Sequence, residues 1–195
     1  YDNPEPQVRG SSGITDPRSV NITLRHSFLE MPDNDYTPRF EDPRIGYFTT
    51  QVTDMTSTSV TPYRDLVHRW NLKKKNPEEE LSEPEKPIVF WIENTTPTEF
   101  RSAVEEGVLG WNKSFEKAGF INAVQVKTQP DDAAWDAGDI RYNVLRWTSS
   151  PNPPFGGYGP SFVNPRTGEI LGADIMLEYV YFTNRVKYDF LYKSE

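Results

Sequence analysis

Residues 88–92, Ile-Val-Phe-Trp-Ile, leave the fold least choice. A continuous apolar run bounded by Pro87 and by Asn94-Thr95-Thr96 reads as a strand covered on both faces. The residues that follow read as the cover for one of those faces. Thr96 stands as an N-cap, Pro97 at the first helical position and Glu99 as the partner of a capping box. Phe100, Ala103, Val104, Val108, Trp111 and Phe115 then recur at three- and four-residue steps, giving one apolar stripe, and Gly119 supplies the stop.

Downstream, residues 123–126 read as a short strand, Asp131 to Gly138 as a loop and Ile140 to Trp147 as another strand. Residues 149–159, rich in Pro and Gly, form a loop. Two apolar runs, Ser161-Phe162-Val163 and Ile170 to Leu177, then flank Asn164-Pro165-Arg166-Thr167-Gly168. Asn164 bonds back to its own backbone, Pro165 fixes φ and Gly168 supplies a positive φ, so the segment is a β-hairpin. The order strand, helix, strand, strand, loop, hairpin starts with a parallel crossover and ends with antiparallel strands. It predicts an α+β fold: a mixed twisted β-sheet with a long backing helix and a C-terminal β-hairpin. The tail 179–192 puts Val180, Thr183 and Val186 roughly on one helical face with Met176, and reads equally well as an aromatic strand.

Upstream the signals are weaker. Residues 1–18 read as loop or frayed terminus. Alternation at Val20, Ile22, Leu24 and Phe28 predicts a strand from Val20 to Met31, and Asp42-Pro43 a turn before a second strand. Residues 62–72 suit a short helix or strand. The charged, Pro-punctuated run 73–87 has no periodicity and is the linker candidate. The chain therefore divides into a β-rich region with its linker, 1–80, and a second unit, 81–195. It begins Tyr1-Asp2-Asn3 without an initiator Met, so it reads as a piece of something larger.

The search for chemistry mostly excludes. A net charge of −8 repels phosphate backbones, which argues against nucleic acid as a partner. No window approaches the roughly 20 apolar residues of a membrane span. With no cysteine there is no disulfide, thiolate metal site or thiol nucleophile. His26 and His68 lie in different segments and in no His-Glu-x-x-His pattern. Glu78-Glu79-Glu80 beside Lys73-Lys74-Lys75 reads as a solvated charge run. Asp131, Asp132, Asp136 and Asp139 offer hard oxygen ligands, but their spacing fits no calcium loop. Asp174 interrupts an apolar strand and reads as a solvent-facing position of the alternation. Ser161 lacks a nucleophile-elbow context, and Gly156-Gly157-Tyr158-Gly159 lacks the lysine of a phosphate loop. By residue chemistry the chain holds no complete active site.

Residues 87–120, "PIVFWIENTTPTEFRSAVEEGVLGWNKSFEKAGF", then "DIRYNVLRW" and "GPSFVNPRTGEILGADIML", resemble the large zinc-dependent metalloproteases of bacteria, metzincin-like enzymes. "DPRIGYFTT" at 42–50 and "HRWNL" at 68–72 resemble the end of the long region that precedes their catalytic domain, so the likeness covers most of residues 36–177. It implies that 81–195 is the upper part of a zincin catalytic domain, from a periplasmic or extracellular protein. In such enzymes a strand, a long helix, two strands and a hairpin precede the zinc-binding helix, and the hairpin's first strand is the sheet edge above the cleft. Carried over, Gly159, Pro160, Ser161, Phe162 and Val163 are that substrate-binding edge, and Ile170 to Met176 the next strand inward. The zinc ligands and the general-base Glu have no counterpart here. The resemblance thus implies an inactive portion that binds no catalytic zinc, with the metal in the parent enzyme and a polypeptide as substrate. The edge-strand physics agrees, because unpaired N–H and C=O groups accept an extended peptide. Two other readings stand beside it. One is a protein- or glycan-binding module that uses exposed aromatics, and the other an enzyme relying on paired carboxylates alone.

Overall fold

The computed structural model describes residues 21–150 and 155–192, and within them the chain is α+β. The strands are β1 (Thr49–Thr53), β2 (Tyr63–Val67), β3 (Arg69–Trp70), β4 (Ile88–Ile92), β5 (Val124–Thr128), β6 (Asn143–Thr148), β7 (Gly157–Tyr158), β8 (Ser161–Val163), β9 (Glu169–Ala173) and β10 (Ile175–Glu178). The helices are α1 (Thr98–Leu109), α2 (Asn112–Lys117) and α3 (Tyr179–Tyr192). The expected loop at 1–18 and Val20 of the expected first strand lie outside the described residues, as do 151–154 of the Pro/Gly loop.

The main sheet has the order β5-β4-β6-β10-β7, with β7 alone antiparallel to its neighbour. β4 lies inside it, and the apolar run is covered on both faces as its composition requires. Ile88, Ile92, Ala123, Val124, Val144 and Leu145 form its buried core. On one face Phe100 of α1 stacks on Trp147 at 5.3 Å, and Tyr179 of α3 joins them. On the other face Trp135 stacks on Tyr142 at 3.9 Å with Trp91 edge-on to both. The aromatic side chains thus do much of the covering.

Several local expectations change. Residues 21–31 form no strand: Ile22, Leu24 and Phe28 are exposed, since an alternating pattern becomes a strand only where an edge accepts it. The capping box is not made. Pro97 is the N-cap of α1, no side chain caps it, and Thr96 is buried, its N–H bonded to the Glu93 carbonyl. The single stripe splits into α1 and α2. Gly107 and Gly110 weaken the helix, and the bonds from Trp111 N–H to Val108 and from Lys113 N–H to Gly110 tighten the chain there. Ala103 and Trp111 consequently face solvent. Gly119 does end the second helix. At φ 91° it supports a paired stop, with Phe120 N–H on the Phe115 carbonyl and Gly119 N–H on Glu116. The tail 179–192, open between two readings, is helix.

Asn112 explains why α2 sits where it does. Its amide donates to the Val124 carbonyl and accepts from the Val124 N–H, both at 2.9 Å, so one side chain stands in for a neighbouring strand along the edge of β5. Asn112→Ala is expected to cost about 1–2 kcal/mol, because it leaves two polar groups of a buried residue unpaired. The shift in denaturation midpoint measures it, and a change within error would mean water replaces the amide.

The remaining strands lie apart from the main sheet. β1 and β2 pair antiparallel, and β3-β9-β8 form a three-stranded sheet in which β3 runs parallel to β9. The run 73–87 folds back on itself through Lys75 N–H to Glu83 and Glu85 N–H to Lys73, with Ser82 buried beside Phe120. Glu78, Glu79 and Glu80 stay exposed, as a solvated charge run should.

Candidate functional site: an open sheet edge

The hairpin turn forms as its residues dictate. Asn164 is buried, its Oδ1 accepts the Arg166 N–H at 3.0 Å, and its carbonyl accepts the Gly168 N–H at 2.9 Å. Gly168 takes φ 79°.

The strand before the turn differs from the carried-over arrangement. Residues 170–176 are not one strand next inward from 159–163. They divide at Asp174 between β9 and β10, which lie in different sheets, and the outermost strand of the main sheet is β7. The hairpin register nonetheless continues across the break: Gly157 opposes Leu177, Tyr158 opposes Met176, Ser161 opposes Ala173 and Phe162 opposes Gly172. One long hairpin therefore spans two sheets, and Gly159-Pro160 opposite Asp174-Ile175 is its joint. Pro160 has no N–H to give, so its carbonyl alone pairs, accepting from Asp174 N–H at 3.1 Å.

Asp174 is not a solvent-facing position. It is half-buried, and its carboxylate accepts the Val144 N–H of β6 at 3.1 Å. Burial pushes its carboxyl above the ordinary value, against the pull of that N–H and of Arg146. A carboxylate that must reach β6 bends the chain out of a straight strand.

The geometry of the edge follows from alternation. Gly156, Pro160 and Asn164 exchange bonds with the partner strand through Glu178, Asp174 and Glu169. In an antiparallel pair such residues alternate, so 156, 158, 160 and 162 face inward while Gly157, Gly159 and Ser161 turn their N–H and C=O outward, up to a register shift between Phe162 and Val163. No strand among the described residues lies against that side. Gly157, Gly159 and Ser161 are exposed, and Phe162 and Val163 half-buried. The five residues named from sequence, Gly159, Pro160, Ser161, Phe162 and Val163, lie along this arm of the hairpin, which begins earlier, at Gly157. The missed residues, Gly157 and Tyr158, gave no signal because a two-residue strand has no readable period.

Three of the other candidates have partners of their own. Asp136 pairs with Arg25, and Asp139 with Arg141, whose guanidinium hydrogen bond holds the Asp139 carboxyl down at about 2. His68 Nε2 lies 2.8 Å from Thr50 Oγ1, and burial lowers its pKa. Among the described residues no three His, Asp or Glu side chains group as a metal site. No described helix is long and apolar enough to cross a membrane.

Where β10 passes into α3, Glu178 is buried. Its carboxylate accepts from Ser150 N–H at 2.8 Å, Ser150 Oγ at 3.0 Å and Thr148 Oγ1 at 2.9 Å.

Residues 5–75 match a family model described as a domain of unknown function (DUF5117). No curated protein and no solved structure matches the chain.

Proposed function

We propose that this chain is the substrate-docking portion of a zinc-dependent metallopeptidase acting in the periplasm or outside the cell. It offers an extended polypeptide the open edge from Gly157 to Val163. The observation that carries the reading is that edge: Gly157, Gly159 and Ser161 with outward backbone groups, in a hairpin arm that pairs on one side only among the described residues. Two features support it. The order strand, helices, two strands and hairpin from β4 onward is compatible with the resemblance, although the helix is split and the hairpin spans two sheets. The opposite edge, β5, is partly closed by Asn112, whereas no described side chain is seen to pair in this way with Gly157, Gly159 or Ser161. On this reading the part of these residues in peptide hydrolysis is capture and alignment of the chain to be cut, with zinc and the proton-accepting group supplied by the parent enzyme.

Ser161→Pro tests this without touching the inward bonds; a proline at Phe162 would break the hairpin itself. Titration of a fluorescein-labelled, chemically unfolded protein, followed by anisotropy, is expected to saturate for the parent sequence. For Ser161→Pro it should weaken about five- to tenfold, the worth of one backbone hydrogen bond. Absence of saturable binding, or equal affinity of the two, overturns the reading.

A second reading, an interaction module, is favoured by α3, where Tyr188, Phe190 and Tyr192 are exposed. Phe190→Ser with Tyr192→Ser leaves peptide affinity unchanged if the edge carries binding and removes it if α3 does.

A further inference from the structure

The hairpin that presents the open edge is held from its other side by residues distant in sequence. β3 pairs with β9, Arg69 opposite Glu169 and Trp70 opposite Ile170, and the Arg69 N–H donates to the Gly168 carbonyl at 3.1 Å. The turn is seated just as closely. A Cβ on Gly168 would lie 2.5 Å from the Val67 carbonyl oxygen and 3.3 Å from the Leu66 Cβ, and both residues are buried. The third contact is chemical. Glu169 is buried, and its carboxylate takes the Asn34 amide at 3.0 and 3.1 Å and the Asn71 amide at 3.0 Å. Asn34 is itself oriented, its Oδ1 accepting the Tyr36 N–H at 3.1 Å, and the Arg69 guanidinium lies 4.5 Å over the Tyr36 ring.

A carboxylate buried among neutral donors is costly unless those donors are fixed, so this arrangement selects one placement of the hairpin against segment 34–71. We infer that segment 34–71, which lies within the stretch matched by the DUF5117 model, is a brace for the hairpin. Glu169 is the latch, and Asn34 and Asn71 are positioning residues for the edge 157–163. The segment bonds to the inner strand β9 and to the turn, on the side away from the open groups, so it orients the edge without covering it. The functional consequence rests on the docking reading above; the mechanical one does not.

The two parts separate by experiment. Amide hydrogen exchange compares the full chain with Glu169→Ala, Glu169→Gln and the double variant Asn34→Ala/Asn71→Ala. In Glu169→Ala and in the double variant, exchange at Phe162, Asn164 and residues 169–173 is expected to rise about tenfold or more, as unpaired buried partners imply. Ile92 and Val144 in the main sheet should keep their protection. Glu169→Gln keeps Oε1 for both asparagines but sets its amide against the Asn34 Nδ2 that Oε2 accepts at 3.1 Å, so its exchange is expected to fall between the parent chain and Glu169→Ala. If Glu169→Ala fails to fold, the double variant decides alone. Hairpin exchange unchanged in the double variant overturns the brace, and so does an equal rise in hairpin and main sheet. In the anisotropy titration, a loosened hairpin with weakened peptide binding supports brace and docking together. A loosened hairpin with unchanged peptide binding keeps the brace and overturns the docking link. An unaltered hairpin with binding lost only in Ser161→Pro does the reverse.

Discussion

Gly168→Ala is expected to lower the unfolding free energy by about 3 kcal/mol, the sum of a left-handed backbone penalty and a forced overlap. The first part follows from φ 79°, where a Cβ meets the following carbonyl. The second is the new methyl 2.5 Å from the Val67 carbonyl oxygen, a backbone atom of a buried residue in β2 with no room to withdraw. Relief would require the turn to lift off Val67, which also strains the Arg69 N–H bond to the Gly168 carbonyl and the pairing of β3 with β9. Gly119→Ala is the comparison. Its φ of 91° carries a similar backbone penalty, but the nearest atoms, the end of the Lys74 side chain held on the Glu79 and Glu80 carbonyls and the Glu80 carbonyl oxygen itself, lie at 3.0 and 3.1 Å, a milder crowding than the 2.5 Å at Gly168. Its cost is expected at about 1–2 kcal/mol. Urea denaturation with an unchanged slope measures both. Equal losses at the two positions would show that the seat against Val67 contributes nothing.

That comparison also shows what a single sequence carries. Gly119 and Gly168 were legible as conformational punctuation, since a stop after an apolar stripe and a glycine closing an Asn-Pro turn each have one local cause. The strand at 88–92 was legible because burial on both faces leaves a run with no polar interruption. The long-range uses of these residues were not. Nothing near Gly168 says that its missing Cβ makes room for Val67, about a hundred residues earlier by numbering. β3 has two residues and no period, so its parallel pairing with β9 is invisible until both segments are folded. Asn112 looks like an ordinary polar position of a helix, yet its amide closes a strand edge. Residues 21–31 show the opposite failure, a readable β pattern with no strand beside it among the described residues. Asp174 was read from alternation, which assumes a straight strand, and the bond to Val144 is what makes the strand bend. Of the candidate edge, the turn at 164–168 was legible from its residues and the short strand β7 was not. Local chemistry is written locally; pairing partners are written across the chain.

Glu178→Ala is expected to cost about 3 kcal/mol, because hydrogen bonds to a buried charged group are worth more than neutral ones and their donors are left unpaired. The carboxylate joins three elements: Thr148 at the end of β6, Ser150 beyond it, and the first turn of α3 through the Val180 N–H. The last of these places a negative charge at a helix N-terminus, where it is favoured. Burial alone would push this carboxyl up, but the donors from Ser150, Thr148 and Val180 outweigh it and hold it below the usual glutamate value. The sign of the pH dependence follows. With the folded value depressed, the unfolded chain takes up the proton first, so the stabilisation is complete above the unfolded pKa of about 4.3 and is lost as pH falls through the folded value. Midpoints measured from pH 7 downward should therefore converge between the parent chain and Glu178→Ala at the acid end and differ most near neutrality. Glu178→Gln keeps an acceptor for the Ser150 N–H and can donate to the Thr148 and Ser150 hydroxyls, so it is expected to lose only the charge-dependent part and to fall between the parent chain and Glu178→Ala at neutral pH. A gap between parent and Glu178→Ala that stays constant down to about pH 2 would mean the side chain contributes through packing and not through its charge.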